Sequence, residues 1–119
     1  MEAPVPIPGL RPGYPVVVRL AIRAREGARD ELLAFLREAL PFYEAPGGIR
    51  MRLLQRVDDP DTFIEEFEYR GPPEYEADDL RVESDAEMKR YLDRWRSLLA
   101  GRADVTVYQD LTGEIRGGR

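Results

Sequence analysis

Val16–Arg23, with the sequence VVVRLAIR, is the stretch that decides the fold. Its apolar residues Val18, Leu20 and Ile22 alternate with more polar positions, and β-branched side chains are frequent in it. A period of two is typical of a β-strand that buries one face and leaves the other polar. We therefore predict a first strand here, with one of its faces in the core.

Three further stretches downstream have the composition of strands. Ile49–Val57 and Thr62–Arg70 both alternate, and the turn-forming sequence DDPD at 58–61 joins them as a hairpin. A short β-rich run, Val105–Tyr108, lies near the end of the chain. The sequence thus predicts four strands in all.

Two helices are predicted between these strands. The first begins after Gly27, has apolar residues every three or four positions, and is expected to end at Pro41. The second begins with a capping box, in which the Ser84 side chain accepts a hydrogen bond from the Glu87 amide and the Glu87 side chain reaches back. It is expected to end near Gly101, a suitable residue for a C-terminal cap.

The predicted order of elements, β-α-β-β-α-β, is that of a ferredoxin-like fold in the α+β class. Right-handed crossovers then give a four-stranded antiparallel sheet in the order 4-1-3-2. We expect the proline-rich residues 1–14 to form an extended arm, residues 15–110 to form the domain, and residues 111–119 to form a C-terminal tail.

The composition excludes several kinds of chemistry. The 119 residues include no Cys and no His, which rules out thiolate nucleophiles, disulfides, Ser-His-Asp triads, His-ligated haem and ordinary zinc sites. We therefore expect no metal and no cofactor. No apolar run approaches the ~20 residues of a membrane-spanning helix, and the N-terminus does not resemble a signal peptide, so we expect a cytoplasmic protein without a membrane partner.

The charge distribution argues against a nucleic-acid partner. The net charge is −5, and 13 carboxylates but only two basic residues fall between Asp58 and Glu87. Elsewhere the basic residues are spread over strands and helices among acidic ones. Nucleic-acid binding needs a clustered basic surface, so we expect none and interpret the acidic middle as a solvated face.

One face of the predicted sheet carries most of the charged strand residues. Val17, Leu54 and Ile64 are interspersed among them. Three interpretations are open: a solvated face, an anion-binding surface, or a homodimer interface against a second sheet, which the interspersed apolar residues favour. The residues expected at this dimer interface are Arg19, Arg23, Arg50, Arg52, Glu66, Glu68 and Tyr108.

The opposite face of the sheet carries the candidate site. Tyr91 and Trp95 on the second helix, with Phe42 and Tyr43 near the end of the first, form either a core seam or a pocket wall whose polar tips orient a ligand. Glu65 has the parity of this face, where a carboxylate must be paired, protonated or beside a cavity.

The acidic segment 74–83 surrounds Tyr75 with carboxylates. We expect an ordinary solvated connection here, and the alternative is a lid over the cleft between sheet and helices. Carboxylates also suit Mg²⁺ or Ca²⁺, but the spacing lacks the EF-hand pattern.

These features together resemble a known family. The element order, the strand FIEEFEYR at 63–70 and the aromatic helix MKRYLDRW at 88–95 look like the antibiotic biosynthesis monooxygenase (ABM) superfamily of dimeric α+β barrels, over roughly residues 15–110. The resemblance implies a homodimer whose sheets face each other, and a cleft between each sheet and its helices. Haem-degrading relatives use an Asn, a Trp and a His, of which this chain has only Trp95, so that activity is not expected.

The resemblance leaves two hypotheses for function. The first is a cofactor-independent monooxygenase of a small aromatic or quinol compound, whose deprotonated form reacts with O₂. Glu65 is then the candidate base, which needs a pKa raised by burial, and Tyr91 is a second catalytic candidate. The second hypothesis is a non-catalytic dimeric module that binds a small ligand or serves a structural role. The residues expected to shape the substrate site are Phe42, Tyr43, Tyr69 and Trp95.

Overall fold

The computed structural model describes residues 9–117. No helix in this part of the chain is long and apolar enough to cross a membrane. Its elements, in chain order, are β1 (Val16–Arg23), α1 (Arg29–Glu44), β2 (Ile49–Arg56), β3 (Asp59–Tyr69), α2 (Pro72–Ser84), α3 (Ala86–Ser97), β4 (Asp104–Gln109) and α4 (Thr112–Ile115).

The strands form one antiparallel sheet in the order β2-β3-β1-β4. This is the predicted order read from the opposite edge, and the predicted ferredoxin-like α+β fold is confirmed. The register sets Leu20 opposite Glu65 and Arg19 opposite Glu66. Because successive side chains in a strand point to opposite faces, the two neighbouring glutamates lie on different sides of the sheet.

The core lies between one face of the sheet and the helices. Val18, Ile22 and Phe63 are buried on the strands, as the alternation predicts, and pack with the apolar stripes of α1 and α3. Removing this apolar surface from water is the main force that holds the layers together. Val105 departs from the prediction and is 40% exposed, because β4 is the short edge strand of the sheet, where the helices cover less of the face.

Residues 72–84 form a helix, so the prediction of a solvated connection at 74–83 is wrong. Gly71 precedes this helix, and Pro72 and Pro73 occupy its first positions. An amide at the start of a helix has no partner within it, so proline is tolerated there. The two prolines therefore start α2 rather than mark a loop.

Three predicted helix boundaries are also wrong. α3 ends at Ser97, and its C-terminal cap is Leu98 rather than Gly101. α1 continues past Pro41, which is exposed, so water can hydrate the carbonyl group that loses its amide partner. The N-terminal cap of α3 is Asp85, whose Oδ1 accepts a 2.9 Å hydrogen bond from the Met88 amide. Ser84 belongs to α2, where its hydroxyl donates to the Leu80 carbonyl.

The segment before β1 lies beside β4 and α4. The Arg11 amide donates to Gln109 Oε1 at 2.8 Å, and the Arg11 guanidinium lies 3.7 Å from the Glu114 carboxylate. Residues 1–8 of the predicted arm and residues 118–119 of the predicted tail lie outside the described part of the chain. The predicted domain boundaries stay predictions.

Candidate active site

A small cavity lies between the inner face of the sheet and the helices. Its volume is about 60 Å³. The polar groups in its wall are one glutamate, two aspartates, three tyrosines and a tryptophan. Its apolar lining comes from Val18, Leu20, Phe67, Val82, Met88 and Leu92.

Glu65 on β3 and Trp95 on α3 form one side of this cavity. The Trp95 Nε1–H donates to Glu65 Oε2 at 2.6 Å, and both residues are 2% exposed. The sheet register sets Glu65 between Leu20 and Leu53, so apolar side chains surround the carboxyl group. No salt bridge to Glu65 occurs within residues 9–117, and the indole is its hydrogen-bond donor.

The buried environment of Glu65 raises the pKa of its carboxyl group. Burial raises the pKa of Glu65 from 4.5 to about 7, because an apolar environment disfavours the charged form. The hydrogen bond from Trp95 acts in the opposite direction, since it stabilises the carboxylate. A carboxyl group with this pKa can take up and return a proton near neutral pH.

Tyr43 and Tyr69 also line the cavity, and both remain protonated at neutral pH. Burial is the main cause that raises the pKa of Tyr43, followed by the charge of Glu65. Burial is also the main cause that raises the pKa of Tyr69, and the negative charge of Asp78 raises it further. Asp78 accepts a 2.6 Å hydrogen bond from the Tyr69 hydroxyl. Both phenols are therefore hydrogen-bond donors rather than bases.

Phe42 and Tyr91 lie behind the cavity and do not line it. Their rings stack with centroids 4.8 Å apart, and the Tyr91 ring meets Tyr43 edge-on at 6.1 Å. They support Tyr43 from outside. Of the residues that the sequence indicated for the site, those that line the cavity are Tyr43, Glu65, Tyr69 and Trp95.

α2 supplies a wall of the cavity, and none of its residues was among the predicted site residues, although the lid alternative placed this segment over the cleft. Tyr75, Asp78, Asp79 and Val82 all line the cavity. Their spacing of i, i+3, i+4 and i+7 is the signal of a helical face. The signal is weak because two of the four positions are Asp, while the apolar Leu80 is 62% exposed.

Arg81 fastens α2 to the end of α1. Its guanidinium pairs with Asp78 at 3.2 Å and donates to the carbonyls of Phe42 and Tyr43 at 3.1 and 3.0 Å. The Arg81 Cζ atom also lies 4.7 Å from the centre of the Phe42 ring. Carbonyls in the last turn of a helix lack the partners of a continuing helix, so Arg81 both caps α1 and holds α2 over the cavity.

The outer face of the sheet has a different electrostatic centre, Glu66. Arg19 Nε donates to Glu66 Oε2 at 2.9 Å, and Arg52 Nε donates to Glu66 Oε1 at 2.8 Å. Burial alone would raise the pKa of Glu66, but the hydrogen bonds and charges of Arg52 and Arg19 outweigh it and hold the pKa below its ordinary value. Glu66 is therefore a buried carboxylate clamped between two cations.

The other residues predicted for a dimer interface share this outer face. The Arg23 guanidinium bonds to Asp59, and the Arg19 Cζ atom lies 5.6 Å from the centre of the Tyr108 ring. Arg50 stands opposite Glu68 in the register. The face is thus a continuous surface of mixed charge, and its role as a dimer interface stays a prediction.

Comparison with known proteins finds a family that part of this chain resembles. Residues 15–72 match the family model of ABM, the antibiotic biosynthesis monooxygenases. The matched region runs from β1 to the start of α2, so it includes Glu65 but not Trp95. The sequence matches no curated protein.

Several solved structures share the fold. Rv0793 from Mycobacterium tuberculosis is 26% identical with a TM-score of 0.65, covering 82% of this chain and 95% of that chain. A variant of SnoaB, a cofactor-independent oxygenase from Streptomyces nogalater, is 13% identical with a TM-score of 0.68, covering 82% and 93%. A conserved protein from Methanosarcina mazei Go1 is 12% identical with a TM-score of 0.70, covering 82% and 94%.

The fold and the cavity define a ferredoxin-like α+β protein with a buried carboxyl group beside a small apolar cavity. In the sequence of residues 15–72 and in its fold, the chain resembles the antibiotic biosynthesis monooxygenases. The chain contains no His and no Asn, so the chemistry of its cavity depends on carboxyl, phenol and indole groups.

Proposed function

We propose that this protein is a cofactor-independent monooxygenase that oxidises a small aromatic compound of the quinol type. The observation that carries the proposal is Glu65, a buried carboxyl group in the wall of an apolar cavity with a pKa of about 7. The match of residues 15–72 to the ABM family model and the structural likeness to SnoaB, a cofactor-independent oxygenase, support the reaction class. The rings of Tyr43, Phe67 and Trp95 in the lining suit a flat aromatic substrate.

Glu65 acts as the base in the first step. Trp95 holds Oε2, which leaves Oε1 to accept the hydroxyl proton of the quinol. The resulting anion is electron-rich, and the protonated hydroxyl of Tyr43 is a donor in the same cavity that can stabilise it. Exclusion of water by the apolar lining strengthens these electrostatic contacts.

O₂ then reacts with the substrate anion. An electron pair of the ring forms the bond from a ring carbon to oxygen, and the peroxide takes the proton back from Glu65. Loss of water breaks the O–O bond and the C–H bond at that carbon. In sum, a quinol and O₂ give a hydroxyquinone and water, with four electrons moving from the ring to O₂, so the reaction needs no external reductant.

Entry of a ring requires the cavity to widen. Its volume of about 60 Å³ is less than half of the ~150 Å³ of an apolar cavity that admits benzene. α2 is the wall that polar side chains hold in place, through Tyr69 and Asp78 and through Arg81. An outward movement of α2 would therefore open the cavity without disturbing the sheet.

Oxygen uptake with a panel of hydroquinones tests the proposal. We expect uptake that EDTA does not change, and a fall of roughly 10²–10⁴-fold in Glu65→Gln, the usual contribution of a general base. Glu87→Gln is the matched control, because Glu87 is exposed in the first turn of α3. Tyr91→Phe tests the other catalytic candidate and should retain most of the rate, since Tyr91 does not line the cavity.

Three results would count against the proposal. Uptake that EDTA abolishes contradicts a metal-free reaction, and an unchanged rate in Glu65→Gln contradicts the assigned base. Hydroquinone binding without any oxygen uptake would contradict the oxygenase and favour the non-catalytic binding module.

A further inference from the structure

The α2 wall of the cavity contains two buried polar atoms without hydrogen-bond partners. Within residues 9–117, the Tyr75 hydroxyl and Asp79 Oδ1 are both shielded from solvent and unbonded. Both residues line the cavity. They are four residues apart on one helix, and side chains at that spacing are neighbours on the helix surface.

Such atoms are uncommon in proteins because each one costs stability. A buried donor or acceptor without a partner loses its hydration and gains nothing in return, and nearly all buried polar groups are bonded. The Tyr75 side chain is 2% exposed, and its ring is fixed edge-on against Tyr69 with centroids 5.5 Å apart. Its hydroxyl therefore cannot turn out to solvent without moving the core.

The neighbouring aspartate shows that α2 can satisfy a carboxylate. Asp78 Oδ2 accepts from the Tyr69 hydroxyl, and Asp78 Oδ1 pairs with Arg81. Asp79 Oδ1 has no such partners within residues 9–117. Burial is the main cause that raises the pKa of Asp79, and the negative charges of Glu83 and Asp78 raise it further. Asp78 is therefore fully paired, whereas Asp79 Oδ1 and the Tyr75 hydroxyl each have unused hydrogen-bonding capacity.

We propose that Tyr75 and Asp79 form a recognition site for a hydroxyl group of the ligand. A hydroxyl oxygen can accept a hydrogen bond from Tyr75 while its proton is donated to Asp79, so one group satisfies both atoms. A ketone or an ether can only accept, and an ammonium group can only donate. A hydroxyl is thus the simplest group that satisfies the pair.

Combined with Glu65, this site defines the ligand more closely. Glu65 lies on β3 and the hydroxyl site on α2, so the cavity has polar groups on two different elements in an otherwise largely apolar lining. A ring that carries two hydroxyl groups matches this distribution. This extension to a dihydroxy aromatic rests on the proposed function, whereas recognition of a hydroxyl by Tyr75 and Asp79 does not.

Calorimetric titration without oxygen tests the hydroxyl site separately from turnover. The probes are hydroquinone and 1,4-dimethoxybenzene, in which both hydroxyls have become ethers, so that no hydroxyl remains to occupy the site. We expect the parent to bind hydroquinone roughly tenfold more tightly, the effect of one or two hydrogen bonds. Tyr75→Phe and Asp79→Asn should each remove most of that preference. The control variants are Tyr14→Phe and Asp104→Asn. Both residues lie away from the cavity, so these variants should retain the preference for hydroquinone.

The stability of the ligand-free variants supplies a second readout. Because the Tyr75 hydroxyl is unbonded, Tyr75→Phe should leave the thermal midpoint unchanged or raise it. A clear fall in that midpoint would mean that the hydroxyl is already satisfied, for instance by water, and would overturn the inference. An equal preference for hydroquinone in the parent and in both α2 variants would also overturn it, as would no binding of millimolar hydroquinone.

These outcomes separate the two proposals. Selective anaerobic binding that depends on Tyr75 and Asp79, without oxygen uptake in air, supports the hydroxyl site and contradicts the oxygenase. Oxygen uptake that depends on Glu65, with a hydroquinone preference unchanged in Tyr75→Phe and Asp79→Asn, supports the oxygenase and contradicts the hydroxyl site.

Discussion

Glu65 and Glu66 are adjacent residues with opposite electrostatic behaviour. Glu65 faces the cavity, where burial raises its pKa to about 7. Glu66 faces outward, where Arg52 and Arg19 overcome the effect of burial and hold its pKa low. A shift of one residue in the register would exchange the two environments, so the chemistry of the site depends on the pairing of β3 with β1.

At the scale of single residues, the pKa of Glu65 predicts how stability depends on pH. The folded state holds this proton more tightly than the unfolded chain, so the extra stability is complete below pH 4.5 and is lost as the pH rises through about 7. Relative to Glu65→Gln, which does not titrate, the parent should lose about 3 kcal/mol of unfolding free energy across this range. Urea unfolding of both proteins at pH 4.5 and pH 8 measures it, and a constant difference would contradict the raised pKa.

Trp95 contributes both packing and one hydrogen bond, and two substitutions separate these roles. Trp95→Ala removes a fully buried ring and should cost roughly 3 kcal/mol or more of unfolding free energy. Trp95→Phe keeps most of the ring but removes the donor to Glu65, so the pKa of Glu65 should rise further. Denaturation curves and an NMR titration of the Glu65 carboxyl group are the measurements. A thermal midpoint of Trp95→Ala within two degrees of the parent would show that this ring is not part of the core.

At the scale of elements, α2 is held differently from α1 and α3. α1 and α3 each bury a stripe of apolar residues, whereas Tyr75 is the buried residue of α2. Polar contacts of Asp78 and Arg81 replace the missing apolar stripe. Elements with few buried apolar contacts open most readily, so we expect α2 to be the wall of the cavity that moves.

Arg81→Ala should therefore loosen α2 more than it unfolds the protein. The substitution removes a charge-assisted bond to Asp78 and two bonds to α1 carbonyls, which together contribute roughly 2–3 kcal/mol. Hydrogen exchange should become faster in residues 72–84 and remain unchanged in β1 and β3. Arg90→Ala is the control, because Arg90 is exposed on α3. Equal exchange in residues 72–84 of both variants would show that packing alone holds α2.

At the scale of the whole molecule, the outer face of the sheet is the surface available to a second copy. It combines the Glu66 clamp with Leu54, which is 40% exposed, and with the half-buried Val17 and Ile64. A stable homodimer buries roughly 800 Å² of accessible surface on each partner, and the face of a four-stranded sheet can supply that area. We propose a homodimer that uses this face.

Leu54→Asp should dissociate that homodimer, because it introduces an unpaired charge into the apolar part of the face. Val57→Asp is the matched control, since Val57 is 99% exposed at the β2–β3 turn. Sedimentation should give about twice 13.7 kDa for the parent and the control, and the monomer mass for Leu54→Asp. A parent that sediments at the monomer mass at all concentrations would remove the idea of a dimer.

The sequence by itself determined the sheet and the side of it on which each strand residue lies. Alternation in Val16–Arg23 and in the two strands of the hairpin is a local pattern with a period of two, and it predicted these strands and placed Glu65 toward the helices. The order of the strands followed from the handedness of the crossovers. The aromatic spacing in 88–95 likewise predicted α3 on the same side. Each of these elements buries one of its faces, and the spacing of polar and apolar residues along the sequence predicts which face that is.

The tertiary structure alone decided the far wall of the cavity. α2 has a weak apolar pattern because its inward positions include two aspartates. Asp78 accepts a hydrogen bond from Tyr69 on β3, and Asp79 Oδ1 has no partner within residues 9–117. Phe42 and Tyr91 have the spacing of pocket residues, yet they stack behind Tyr43. Which polar side chain is buried, and beside what, depends on the packing of separate elements, and no local pattern in the sequence records it.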